Sequence, residues 1–245
     1  LAPTKHRPTN RIQPQRHSLL GGVFDLGFSG FCGWGFAQTI HLNMDLFNHA
    51  FDAQLNLLPH DGQVNYHGCI ISPTQADVYF TELHQTLAWQ HDQVRINGQL
   101  ITTARRIAWY GDQNYAYTYS GTTKHALPWT AALLQLKQLA EQHTGATFNS
   151  CLANLYDDGS QGMAWHSDDE AALGKNTTIA SMSFGAERKF GFKHKTDRTT
   201  IWLNLAHGSL LVMAGTTQTH WQHRLPPSKA VHQPRINLTF RTIQA

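Results

Sequence analysis

The chain has 245 residues, 41% hydrophobic and 14% charged, with a formal net charge of +3. That length buries one substantial core, so a single domain with an N-terminal extension is the simplest organisation. The mild charge permits a nucleic-acid partner without demanding one, and Cys32, Cys69 and Cys151 lack the paired spacing of a disulfide framework or a zinc knuckle.

Lys5, Arg7, Arg11 and Arg16 precede a Gly-, Phe- and Leu-rich stretch over 18–37 that loosely resembles a signal peptide or membrane segment. Asp25 and repeated glycines interrupt it, and no apolar run of about 18 residues is present to span a bilayer. Met44 begins a passage of ordinary globular composition. Residues 1–43 are therefore expected to be a poorly ordered or over-extended N-terminal extension, and 44–245 the domain, with no membrane partner. The unpaired cysteines fit a reducing compartment, the cytoplasm or, in a eukaryote, the nucleus.

The first helix is predicted over 72–89. Ser72 is a candidate N-cap, Pro73 takes the first helical position, Gln75 completes a capping box, and Ala76, Phe80, Leu83 and Leu87 recur at helical spacing. A second is predicted from Pro128 to Gln142, with Trp129, Leu133, Leu136 and Ala140 on one face and Gly145 as the stop. Beyond Gly145 the period changes from about 3.6 to 2. Strands are predicted over 149–156, 177–184, 188–194, 200–205, 209–214 and 235–243. Two helices followed by short strands give an α+β fold with a β-sandwich or jelly-roll core.

Alternation also sorts the chemistry. Asn154 and Tyr156 share a strand face, and so do Arg235, Asn237, Thr239 and Arg241, opposite Ile236, Leu238 and Phe240. Four polar groups in a row near a core are costly unless something polar lies in front of them, and a buried anionic ligand answers that need. His166 and Asp168, two apart on an extended segment, can face one ion, although His-x-Asp alone is ordinary on a surface. With one distant histidine they supply three ligands on one side of a metal, an arrangement that suits non-haem Fe(II) oxygenases. His207, His220, His223 and His232 all follow. His223 leads because it precedes the Leu225-Pro226-Pro227 turn and stands 12 residues before Arg235.

Asn154-x-Tyr156, His166-x-Asp168, His223 and Arg235-x-Asn237-x-Thr239-x-Arg241 resemble, in order, the signature of the AlkB family of Fe(II)- and 2-oxoglutarate-dependent dioxygenases. Tyr110-Gly111-Asp112, Tyr117-Thr118-Tyr119-Ser120-Gly121, Ser183-Phe184-Gly185-Ala186 and Ala206-His207-Gly208-Ser209-Leu210-Leu211 resemble the members of that family that repair alkylated DNA. The likeness spans about 64–245. It implies a double-stranded β-helix (jelly-roll) core with flanking N-terminal helices. It also implies His166, Asp168 and His223 as Fe(II) ligands and catalytic centre, and Asn154, Tyr156, Arg235, Asn237, Thr239 and Arg241 around 2-oxoglutarate. Arg235 would pair with the distal carboxylate, a bidentate task to which Lys is poorly suited.

The activity so implied is O2-dependent removal of N-alkyl groups from bases such as 1-methyladenine and 3-methylcytosine, with succinate, carbon dioxide and formaldehyde as products. Such bases are cationic, which suits Asp169 and Glu170 beside the metal and the aromatic rings of Tyr117 and Tyr119 as a lid. Arg95, Arg105, Arg106, Lys189, Lys193, His194 and Lys195 are candidate phosphate contacts, with Arg105 counted among the expected substrate-binding residues. A duplex-wedging finger falls at Ile96-Asn97-Gly98, where Asn97 replaces the expected aromatic residue. Alkylated DNA, single- or double-stranded, and RNA are thus the expected partners, and the expected state is a monomer. Rivals are a dioxygenase acting on RNA or protein, a zinc hydrolase, and an inactive nucleic-acid binder.

Overall fold

Side-chain alternation, rather than helical packing, organises most of the chain. The computed structural model describes residues 39–41, 52–96, 99–119 and 122–244, all within the unit Ala37–Ala245. The elements are β1 (Thr39–His41), β2 (Gln63–Cys69), α1 (Pro73–Thr86), β3 (Gln90–Ile96), β4 (Gln99–Gly111), β5 (Ala116–Tyr119) and β6 (Thr122–His125). They continue with α2 (Ala131–Thr144), β7 (Ser150–Tyr156), β8 (Met163–His166), β9 (Ile179–Gly185), β10 (Arg188–His194) and β11 (Thr200–Leu205). The last are β12 (Ser209–Ala214), α3 (Thr217–His220), β13 (Trp221–Leu225) and β14 (Arg235–Arg241).

One sheet runs β2-β12-β9-β14-β7-β4-β3 and the other β1-β11-β10-β13-β8, while β5 and β6 form a separate hairpin. This is the predicted jelly-roll core. The two helices are interleaved with strands rather than placed ahead of them, since β1 to β6 all precede α2. No helix among the described residues is long and apolar enough to cross a membrane.

α1 starts as predicted, with Ser72 Oγ accepting the Gln75 amide and Pro73 in the first turn. It stops at Thr86 rather than 89, because Leu87 turns extended and the Trp89 indole donates to the His84 carbonyl and to the Leu83 carbonyl, which also accepts the Leu87 amide. α2 begins at Ala131 and not at Pro128. Leu127 is bridged to Tyr110, which keeps the chain extended there, and Thr130 Oγ1 accepts the Leu133 amide instead. Gly145 ends α2 at φ 67°, where a Cβ would be disfavoured.

Leu83, Leu133 and Leu136 pack with Leu155, Phe184, Ile236, Leu238 and Phe240, so the helices cover one face of the larger sheet. A second cluster, with Val64, Ile179, Phe192, Ile201, Leu211 and Trp221, joins the two sheets at one end. Ile236, Leu238 and Phe240 are all 0% exposed, and burying each such side chain contributes roughly 1.5–3 kcal/mol. That anchorage fixes the register of β14, and with it the direction of the polar residues on its other face.

Candidate active site

β8 and β13 pair antiparallel with His166 directly opposite His223, which brings the two imidazole centroids to 4.2 Å. Asp168 follows on the loop leaving β8, its Oδ1 lying 3.6 Å from His166 Nε2 and 3.8 Å from His223 Nε2. The donor atoms of the three groups all fall within 4.8 Å of one another. The histidines weighed against His223 are elsewhere: His207 Nδ1 accepts the Gly185 amide, and His220 joins a different cluster.

Each of the three is prepared for a cation. His166 Nδ1 donates to the Ala164 carbonyl at 2.9 Å, which leaves the Nε2 lone pair free to bind. Burial pushes His223 down to about 3, helped by His166 and Arg241 and opposed by Asp168, so its ring is neutral. Burial also acts to raise Asp168, but Arg241, His223 and His166 outweigh it and hold the carboxyl below the usual range. Arg241 Nη2 donates to Asp168 Oδ2 at 2.6 Å, and the Asp168 amide donates to Gln218 Oε1. Two imidazoles and one carboxylate on one side of a common point form a donor set that fits Fe(II).

The triad opens into a cavity of about 360 Å³ whose floor is the polar face of β14. Arg235, Asn237, Thr239 and Arg241 all line it, as do Asn154 and Tyr156, so the predicted alternation holds on both strands. Register explains the grouping, because Arg235 pairs with Tyr156 and Asn237 with Asn154. Arg235 is 2% exposed, donates to Ser183 Oγ at 2.9 Å and lies beside the Tyr156 ring. It forms no ion pair among the described residues, and its Nε has no partner. The same is true of the hydrogen bonding of Asn154 Oδ1 and Arg241 Nε. Burial lowers Arg235 to about 10. These are unsatisfied donors and one acceptor around a space that a small dicarboxylate would fill.

Asp169 and Glu170 also line the cavity, with Glu170 Oε2 buried and unpartnered and Asp169 exposed, 3.7 Å from Lys195. Arg105 lines it too, ion-paired to Asp92 with Nη1 3.1 Å from Met163 Sδ. Tyr117 and Tyr119 stand on β5, but their rings, the Arg95 side chain and the Ile96-Asn97-Gly98 finger lie outside the described residues. Among the phosphate candidates, Arg106 is ion-paired to Asp157, and Lys189 and Lys193 lie over Trp202 and Trp165. Lys195 Nζ donates to the Gln218 carbonyl. His194 is a correction: it ends β10 buried at 5% exposure and faces two aspartates, so it is no surface phosphate contact.

Ser183, which holds Arg235, and Gln218, which holds the Asp168 amide, were not anticipated. Ser181 and Ser183 alternate on β9 and carry a period-2 signal, whereas Gln218 sits on the four-residue α3 and carries none.

Residues 62–241 match the 2OG-Fe(II) oxygenase superfamily. The mouse protein named DNA oxidative demethylase ALKBH2 is 40% identical over 185 residues, covering 71% of this chain and 77% of that relative. The chain belongs to the AlkB family of 2OG-Fe(II) oxygenases. Human DNA oxidative demethylase ALKBH2 is likewise 40% identical, with 71% of each chain covered. Bovine alpha-ketoglutarate-dependent dioxygenase alkB homolog 3 is 41% identical over 179 residues, covering 69% of this AlkB-family chain and 62% of that relative. The solved structure of OsALKBH1 superposes with a TM-score of 0.51 at 13% identity, covering 76% of this chain and 98% of that one, a likeness of fold.

Proposed function

We propose that this AlkB-family protein is an oxidative demethylase of N-alkylated bases in DNA, such as 1-methyladenine and 3-methylcytosine, acting in repair of alkylation damage. The observation that carries the reading is Arg235, a buried guanidinium with no carboxylate partner among the described residues, in the same cavity as the His166, Asp168 and His223 triad. A zinc hydrolase would need the triad and gives that arginine no task.

His166, Asp168 and His223 would hold Fe(II). Bound there with 2-oxoglutarate and O2, the ion would supply oxidative hydroxylation of an N-alkyl carbon: 2-oxoglutarate would be converted to succinate and carbon dioxide, and the hydroxylated methyl group would leave as formaldehyde. The remaining chemistry is the work of the chain. Arg241 keeps Asp168 ionised and fixes its orientation, and neutral His223 offers its lone pair at physiological pH without competition from a proton. Arg235 neutralises a carboxylate of 2-oxoglutarate while Asn154, Tyr156, Asn237 and Thr239 shape the site around it. Thr239 Oγ1 donates to Asn237 Oδ1, and Asn237 Nδ2 donates to Ser181 Oγ, so these side chains are held in place before the cosubstrate arrives.

The alkylated base carries positive charge, and the unpartnered Glu170 oxygen with Asp169 nearby supplies the matching negative field. Tyr117 and Tyr119 on the hairpin would cover the base, and Arg105 would stand at the cavity wall. The nucleotide must leave its stack to reach the triad, at a cost of a few kcal/mol that a damaged pair lowers. Single strands, duplexes and RNA then differ in this opening step, and the protein works as a monomer in the compartment that holds the nucleic acid. A mass-spectrometric panel of methylated DNA and RNA oligonucleotides with Fe(II) and 2-oxoglutarate tests the reading. Loss of 14 mass units per alkyl group, about one methylene, from methylated DNA is expected; unchanged DNA beside demethylated RNA would reassign the substrate.

A further inference from the structure

His220, a rival for the third ligand position in the sequence, takes part in a cluster outside the cavity. His60 and Asp61 reach it from the loop before β2, His194 from the end of β10, Asp197 from the turn after β10, and His220 from the end of α3. We propose that Asp61, His194 and His220 form a second divalent metal site, of a ligand chemistry that suits zinc. Their donor atoms lie within 4.8 Å of one another. Asp61 Oδ2 and His194 Nε2 are 3.5 Å apart, close to the roughly 3.4 Å edge of a tetrahedron built on Zn–N bonds near 2.0–2.1 Å.

Its burial and its lack of a partner mark His194 Nε2 as a ligand atom. His194 is 5% exposed, yet its Nε2 has no hydrogen-bond partner. Its Nδ1 is engaged by Asp197, accepting the backbone amide at 3.3 Å and standing 3.0 Å from Oδ1, so Nε2 is the ring atom that faces Asp61.

His60 completes the arrangement without binding the ion. Its Nδ1 faces Asp61 Oδ2 at 3.2 Å and its Nε2 faces Asp197 Oδ2 at 3.1 Å, so its ring bridges both carboxylates. The trio His60, His194 and Asp197 also falls within 4.8 Å, but its atoms already satisfy each other. Trp221 Nε1 donates to the His60 carbonyl, and the 54% exposed Asp61 side chain leaves an entry path for the ion. A metal here would pin the loop before β2 to the start of β13, two residues before His223.

Equilibrium dialysis against Zn(II), with bound metal counted per chain, tests the site. Wild type is expected to hold two equivalents, one in each triad. His166→Ala and the double variant Asp61→Asn/His220→Gln should each hold one. The proposal is overturned if wild type binds one equivalent, or if the double variant, with its circular dichroism unchanged, still binds two. Asp61→Asn alone, an exposed change that leaves the fold intact, should weaken the second equivalent by at least roughly tenfold; unchanged affinity counts against it. Because the readout is stoichiometry, it is independent of whether methylated DNA is the substrate.

Discussion

Replacing Arg235 with methionine separates the guanidinium's task from its structural cost. In the folded protein burial lowers Arg235 from the usual guanidinium range to about 10, so its charged form is disfavoured by about 3 kcal/mol relative to water. The cationic form predominates in both folded and unfolded chains below pH 10, and the full cost is therefore present at neutral pH. Methionine removes that cost but strands Ser183 Oγ, a loss of about 1–2 kcal/mol. The metal- and cosubstrate-free variant should then be more stable by about 1–2 kcal/mol, a rise in Tm of roughly 2–8 °C for a domain of this size. In the presence of 2-oxoglutarate the order reverses, because a buried charge pair contributes roughly 2–5 kcal/mol to binding and its loss raises KM by at least about 30-fold. Scanning fluorimetry with and without 2-oxoglutarate, followed by succinate production against its concentration, reads both effects. A variant less stable than wild type that saturates at the same 2-oxoglutarate concentration would refute the reasoning.

Four further outcomes follow from named contacts. His166→Ala should abolish formaldehyde release while Tm stays near wild type, since the side chain is only partly buried; retained turnover at normal iron loading would remove the residue from the triad. The metal-free protein should lose about 2 kcal/mol between pH 7 and pH 5, because the unfolded chain protonates His223 near 6.5 while the folded chain resists until about 3. Urea titrations should show that slope and its disappearance in His223→Gln, and a flat profile in wild type contradicts it. Glu170→Gln should lower kcat/KM on cationic 3-methylcytosine by about 10-fold or more, the loss of a charge-assisted contact, and an equal effect on an uncharged adduct would show a merely structural role. Gly185→Ala should destabilise the fold by about 2 kcal/mol or more, since φ is +83° and a Cβ would meet the Pro234 carbonyl oxygen at 2.4 Å. Gly185 is the cross-strand partner of Arg235, so 2-oxoglutarate binding should weaken with it, and unchanged KM would uncouple the two.

The site was more legible than the scaffold that holds it. Arg235 to Arg241 alternate cleanly because one face meets the helices and the other the cavity, so the period of 2 records a real difference of environment. The predicted strands over 188–194, 200–205 and 209–214 match β10, β11 and β12; β11 alternates in burial, whereas β12 is buried on both faces and reads as a short apolar run. β2, β3, β4, β8 and β13 escaped notice. β4 mixes threonines and arginines along an exposed half, and β8 has four residues, so neither presents a sustained apolar rhythm. The expected strand over 235–243 ends at Arg241, where Asn149 exchanges side-chain bonds with the Ile243 backbone in place of the ladder. His166 and His223 lie 57 positions apart, and only the β8–β13 register shows them to be neighbours. Family resemblance supplied the pairing that spacing alone left among four histidines. Ser183, Gln218 and the cluster at His194 depend on contacts between distant strands and loops, which no local pattern encodes.

The most direct measurement is the ratio of succinate formed to base restored when the purified protein meets a 3-methylcytosine DNA oligonucleotide with Fe(II), 2-oxoglutarate and O2. One succinate and one formaldehyde for each cytosine recovered is the predicted result. Cytosine recovery without succinate, or succinate formation that is indifferent to the lesion and to His166, would contradict the account.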